Sequence, residues 1–280
     1  MLNFQDYTTT PNNTYTRTSR TRTTKQHALI FGSAPISLGL ANEDLSGLKT
    51  VAINNAWRIR SDIDYAIYAA DFPEDRRPPR SWCPVQITGP DYAPATAMAG
   101  GELLCGATMA FVAGYWACAN LRTSVIGYYG CDMVYDTPGN THFYGTGSPD
   151  PLREHLSLRS LEAKAMRLFC WGLKRGILFV NCSPSKKSRL VFPRVPLSEL
   201  TSVSPDFECW ADLLSRARRI FELEKQPPFS QFRRDTLDRP ETQACRDIID
   251  ELDGYWLELI PLMTEIAADA GSFSQSQLAL

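Results

Sequence analysis

The sequence is notable first for what it lacks. There is no Cys-x-x-Cys pair among its eight cysteines, and its three histidines form no cluster with ligand spacing, so a zinc site is not expected. Neither G-x-G-x-x-G nor G-x-x-x-x-G-K-[ST] occurs, which removes the dinucleotide and P-loop fingerprints. No apolar run is long enough to span a bilayer, and the first residues lack the apolar stretch of a signal peptide. Excess basic charge is missing too: the formal net charge is −2, against the basic balance expected of a nucleic-acid binder. Free, buried thiols in a reducing, cytoplasmic setting fit this cysteine usage.

What is present describes a globular chain. Its 280 residues are 44% hydrophobic and 21% charged, enough to bury a sizeable core. Residues 1–26 are rich in Thr and Asn, with Arg17, Arg20, Arg22 and Lys25 against Asp6 alone. Such a composition buries too little apolar area to offset its ordering entropy, so a disordered tail is expected there.

Ala28-Leu29-Ile30-Phe31 is an unbroken apolar run, as a strand covered on both faces requires. Gly32-Ser33-Ala34 follows, and Pro35 suits the first turn of a helix expected over Ile36–Leu45. Strand, small-residue turn and helix start together form an anion cradle of backbone N–H groups, so a phosphate is expected near Ser33 and Ala34. Strands are expected at Thr50–Ile53, ending in Asn54-Asn55-Ala56-Trp57, and at Tyr65–Ala70, ending in Asp71. Others are expected at Val85–Ile87, at Thr123–Tyr129 before Gly130-Cys131-Asp132, and at Ile177–Val180 before Asn181-Cys182-Ser183-Pro184. Asp91–Gly101 reads as irregular. Leu103–Ala119 reads as one buried helix, with Gly106 near its start allowing a ligand close to the backbone. An amphipathic helix over Ser157–Arg175 precedes the last strand.

This alternation predicts an α/β fold, a Rossmann-like, doubly wound, mostly parallel sheet over residues 27–190. Ligands of such sheets bind beyond the carboxyl ends of the strands, where Ser33, Asn55, Asp71 and Asp132 would meet. Alternatively, Asn55 and Asp71 simply cap turns. Residues 191–280 form a helical C-terminal extension, with helices over Phe207–Lys225 and Thr242–Ala268. It would act as a lid, make subunit contacts in a homo-oligomer, or finish the core. The long segment Met133–Glu154 carries Tyr135, His142, Phe143 and Tyr144 among Asp136, Pro138, Gly139, Gly145, Gly147, Pro149 and Pro151, and reads as a binding flap. His142 is a candidate general base, while His155 stands where it would cap the next helix.

The order of these pieces resembles the bacterial sialyltransferases of glycosyltransferase family 42 and the related 6-hydroxymethylpterin diphosphokinase-like proteins. The likeness lies in Gly32-Ser33-Ala34-Pro35-Ile36-Ser37-Leu38, Asn54-Asn55-Ala56-Trp57, Cys105-Gly106, Gly130-Cys131-Asp132-Met133, Thr141-His142-Phe143-Tyr144-Gly145 and Asn181-Cys182-Ser183-Pro184. The resemblance implies transfer of a glycosyl group from a cytidine-monophosphate sugar to a hydroxyl of a glycan or small-molecule acceptor, without a metal cofactor. By the same resemblance Gly32, Ser33 and Ala34 would meet the donor phosphate, Asn55 and Asp71 the sugar or phosphate, and Gly106 would pack under the nucleotide. Tyr135 and Tyr144 would steady the departing phosphate, and His142 or His155 would be the base. The chain departs from the pattern at Ala34, at Cys105 and at Thr146, which stands near the place of the family's histidine. Two alternatives share the scaffold: a diphosphokinase-like enzyme with Mg²⁺ held by Asp71 and Asp132, and a non-catalytic, phage- or envelope-associated binding protein.

Overall fold

The computed structural model describes residues 26–83, 85–135, 139–147, 153–233 and 241–269. The expected tail up to residue 25, and Asp136, Pro138, Pro149 and Pro151 of the expected flap, lie outside the described residues.

Six parallel strands form one sheet in the order β4-β3-β2-β1-β5-β6. They are β1 (Gln26–Phe31), β2 (Leu48–Ile53), β3 (Tyr65–Ile67), β4 (Val85–Ile87), β5 (Thr123–Tyr129) and β6 (Leu178–Asn181). The α/β, Rossmann-like expectation therefore holds. Ala28 to Phe31 are fully buried at the sheet centre, which is why the run tolerates no polar residue. The chain builds outward from β1 to β4, returns across the sheet, and adds β5 and β6 on the other side of β1. The direction of winding thus reverses between β1 and β5, and a crevice opens at that point in folds of this kind.

The connections differ from expectation in instructive ways. A 3₁₀ helix, Pro35–Asn42, stands where an α-helix was expected, and another, Asn54–Ile59, follows β2. The Asp91–Gly101 segment is not irregular: α1 spans Gly89–Ala99. Thr88 starts it by donating its backbone N–H to the Asp91 carboxylate at 2.8 Å, and Pro90 falls in the first turn, where no N–H is needed. The single helix expected over Leu103–Ala119 is two, α2 (Glu102–Cys105) and α3 (Met109–Asn120). The chain breaks at Gly106, whose φ is +86° and where a Cβ would lie 2.7 Å from the Phe111 ring. Gly106 is thus a packing kink.

Helix α4 (Leu161–Leu173), capped by Ser160, is buried on nearly every side, although its sequence reads as amphipathic. The C-terminal helices explain this. Both α5 (Ala211–Leu223) and α6 (Gln243–Leu257) pack on α4, and α7 (Ile260–Asp269) follows. Two kinds of contact seal the layer. Phe221 and Trp256 meet edge to face at 4.8 Å. The polar residues of α4 are answered by buried carboxylates: Arg167 makes paired bonds of 2.7 and 2.8 Å to Glu224, and Lys164 reaches Asp253 at 2.7 Å. Buried charges persist only when so matched. The apolar core runs on through Leu190, Val191 and Phe192 into these helices, which complete it. The segment expected as one helix up to Ala268 breaks after Leu257, because Pro261 cannot continue the hydrogen-bond ladder. Among the described residues no helix is long and apolar enough to cross a membrane.

Candidate functional site

A cleft of about 1240 Å³ opens where the winding reverses. Its floor is the meeting of two turns. After β1, Gly32 donates its N–H to Tyr129 O at 2.9 Å, and Ala34 donates to Gly130 O at 3.4 Å. The approach is so close that a Cβ on Gly32 would sit 2.5 Å from Gly130 O. Gly130 has φ of +62°, and a Cβ there would lie 1.9 Å from Ser37 Oγ. Both positions therefore demand glycine.

These bonds correct the expected cradle. The amides of Gly32 and Ala34 are turned onto carbonyls of the β5 turn, and Pro35 has no N–H. Among the described residues, only Ser33 in this turn keeps an N–H without a backbone partner. The amino end of α3 contributes to the same cleft through Thr108, Met109 and Ala110, with Thr108 capping the helix by accepting the Phe111 N–H at 3.4 Å. The dipole of this helix favours negative charge at that end.

The side walls are basic. Arg58 and Arg76 line one part, Lys186 and Lys187 another. Arg58 lies over the Trp57 ring at 5.7 Å, and the same ring donates Nε1–H to Arg76 O at 2.9 Å, so Trp57 braces this wall. Among the described lining residues the one carboxylate is Asp132, and both of its oxygens are engaged. Ser183 donates its hydroxyl to Oδ2, and Asn181 donates to Oδ1 at 3.4 Å. In a chain of net charge −2, this cleft is a local concentration of positive charge.

Strain gathers here as well. Asn54 and Met133 are the described non-glycine residues with positive φ, +49° and +55°, and both line the cleft. The Oδ1 atoms of Asn54 and Asn55 are buried without a partner among the described residues, each at a cost of about 1–3 kcal/mol. Strain and unsatisfied polarity in one place are what a ligand site holds at the expense of stability.

The loop 139–147 forms the lip. His142 and Gly145 exchange backbone bonds of 3.1 and 3.0 Å across a tight turn, and Phe143 donates its N–H to Ser33 O at 2.9 Å. The His142 ring stacks on Tyr144 at 5.0 Å, with Tyr135 6.3 Å away. Burial holds the His142 pKa below its ordinary value, favouring the neutral ring.

Of the residues expected at the site, Gly32, Ser33, Ala34, Asn55, Asp132, Tyr135, His142 and Tyr144 line this cleft. Three do not. Asp71 is exposed four residues past the short β3, on the far side of β2 and β1 from Asp132. Three strand spacings separate those two strand ends, about 14 Å. Gly106 lies against Phe111 and Lys164 in the core. His155 caps the turn Leu156–Leu158 by accepting the Ser157 N–H at 3.1 Å, and its Nε2 faces Glu241 at 3.9 Å. Conversely, Asn54, Arg58, Arg76, Thr108, Thr141, Lys186 and Lys187 line the cleft unforeseen. The pair Lys186-Lys187 begins two residues after the last strand's Ser183-Pro184 end, which was the available clue. None of the residues of α5, α6 or α7 reaches the cleft. Among the described residues no three His, Cys, Asp or Glu side chains gather as metal ligands would.

No family model matches the chain, and no curated protein and no solved structure matches it either.

Proposed function

We propose that the cleft binds a nucleotide-activated sugar of the cytidine-monophosphate type and transfers its glycosyl group to an acceptor hydroxyl. The observation that carries this reading is the cation-lined crevice at the reversal between β1 and β5. Arg58, Arg76, Lys186 and Lys187 line it together with a helix amino end, while the one carboxylate among the described lining residues is committed to Ser183 and Asn181. Such a surface suits a phosphate, and it offers the departing nucleotide phosphate fixed positive charge at the moment of bond cleavage. The volume supports two substrates: single-ligand pockets run about 300–1,000 Å³. The choice of cytidine and of a sugar rests on the resemblance of the strand ends to the sialyltransferases. His142 is the imidazole of the lip. It serves either as proton acceptor for the hydroxyl or as donor to the phosphate, and its tautomer decides which.

The diphosphokinase alternative asks Asp71 and Asp132 to share a Mg²⁺ ion; Asp132 lines the cleft, and Asp71 is not among its described lining residues. A thermal-shift series with cytidine, uridine, guanosine and adenosine monophosphates, with magnesium and with a chelator, tests the two readings together. Stabilisation by the cytidine nucleotide in chelator, followed by release of cytidine monophosphate from its sugar conjugate, is the expected result. Binding that appears only with magnesium favours the alternative. No shift with any nucleotide removes both and leaves a non-catalytic binding protein.

A further inference from the structure

Thr141 and His142 are neighbours in sequence, and their side chains bond to one another. Thr141 Oγ1 lies 2.8 Å from His142 Nδ1, and it also accepts the backbone N–H of Gly147 at 3.2 Å. A hydroxyl has one proton to give and two lone pairs to receive with. If the imidazole gave its proton from Nδ1, Thr141 Oγ1 would receive two N–H groups. Its own proton would then have no acceptor among the described residues. If the hydroxyl gives its proton to Nδ1 instead, the oxygen, the ring nitrogen and the Gly147 amide are all satisfied.

We infer that Thr141 donates to Nδ1 and so holds His142 with its proton on Nε2, making His142 a neutral hydrogen-bond donor to an anionic oxygen in the cleft and not the proton acceptor. Nδ1 is occupied, and Nε2 has no partner among the described residues. The ring cannot easily turn over to exchange the two nitrogens. It stacks on Tyr144, and a Cβ at Gly147 would lie 2.7 Å from Nδ1 and 2.8 Å from Cε1. Gly147 is thus the absence of a side chain against which the ring rests. The division of labour is physical: Arg58, Arg76, Lys186 and Lys187 supply charge from flexible stems, while a stacked imidazole supplies direction. Thr141 is a positioning residue, acting through His142.

The anion is part of the function proposed above, so the donor role rests on that reading; the tautomer does not. Long-range proton–nitrogen correlation spectra of the full-length protein, with ¹⁵N-labelled histidine, read the tautomer without any ligand. The loss of one ring's signals in His142→Gln assigns His142 among the three histidines. The expected spectrum shows an unprotonated Nδ1 and a protonated Nε2, kept in Thr141→Ser and lost to a mixture of tautomers in Thr141→Val. Binding of inorganic phosphate and of cytidine monophosphate gives the second readout. His142→Gln, whose amide N–H takes the place of Nε2–H, stays within about twofold of the parent, whereas His142→Ala weakens binding about tenfold. A proton on Nδ1 in the parent protein overturns the proposal whatever binds. The expected tautomer with no binding of either anion overturns the donor role and the phosphate reading together. Equal weakening in the Gln and Ala variants, with the parent binding normally, overturns the donor role alone.

Discussion

The backbone N–H of Phe143 bonds to the carbonyl oxygen of Ser33 at 2.9 Å, tying the lip of the cleft to the turn after its central strand. The ring of His142 is therefore referenced to a central strand of the sheet, although it stands on a loop. A site on a loop is usually less exact than one on a helix or strand, and a backbone bond of this kind offsets that weakness.

If cations on the cleft wall carry anion binding, charge removal and salt act on the same free energy. Arg58→Ala and Lys186→Ala are each expected to weaken cytidine monophosphate binding by about fivefold at low ionic strength, roughly 1 kcal/mol for an exposed charge. In about 1 M salt, where screening acts over about 3 Å, the variants and the parent should converge. Titration calorimetry at two salt concentrations checks this. A loss that persists in high salt would mean that the side chains act by shape.

His142 should leave a mark on stability. Its pKa in the folded protein lies below the 6.5 of the free ring, because burial disfavours the charged form. The unfolded chain thus binds the proton more readily than the folded one. The stabilising effect of the neutral ring is complete above 6.5, is lost as pH falls from there toward the lowered folded value, and is constant below that. His142→Gln lacks this proton, so its melting temperature should fall less than the parent's between about pH 7 and about pH 5. Parallel thermal melts decide it; identical slopes would place the His142 ring in solvent.

Gly130 and Ser37 should be coupled. Gly130→Ala meets a positive φ and an overlap with Ser37 Oγ, each worth about 1–3 kcal/mol of destabilisation. Ser37 Oγ is buried with no hydrogen-bond partner among the described residues, so Ser37→Ala alone is expected to be neutral or stabilising. In the Gly130→Ala background, Ser37→Ala should restore part of the loss. Urea denaturation of the four proteins of this cycle measures the coupling, and strict additivity would contradict the contact.

The second buried pair predicts a different cycle. Lys164 and Asp253 are almost wholly inaccessible, and Asp253 Oδ2 has no partner among the described residues. Asp253→Ala strands a buried ammonium and should cost about 3–5 kcal/mol, while Lys164→Met with Asp253→Leu should recover most of it. Equilibrium unfolding gives both numbers.

Much of the sheet was legible because burial on two faces leaves a simple signature. Ala28–Phe31, Thr123–Tyr129 and the run before Asn181 could hardly be anything else. Helix α1 was hidden by Gly89, Pro90, Pro94 and Gly100, which read as breakers although Pro90 stands in the first turn and Gly100 just past the end. The buried polar side of α4 was hidden for another reason: Lys164 and Arg167 look solvated until Asp253 and Glu224 are brought to them from α6 and the end of α5.

The same distinction runs through the site. Sequence alone determined the parallel α/β sheet and the small-residue turns at its strand ends, because hydrophobic period and turn composition are local properties. It also pointed to His142 as a residue with chemistry to offer. Only the tertiary structure decided that Asp71, Gly106 and His155 lie elsewhere, that Arg58, Arg76, Lys186 and Lys187 share one cleft, and that Thr141 engages the imidazole. Those facts depend on strand order and on the direction in which each side chain leaves the backbone, and neither is written in any short stretch of the chain.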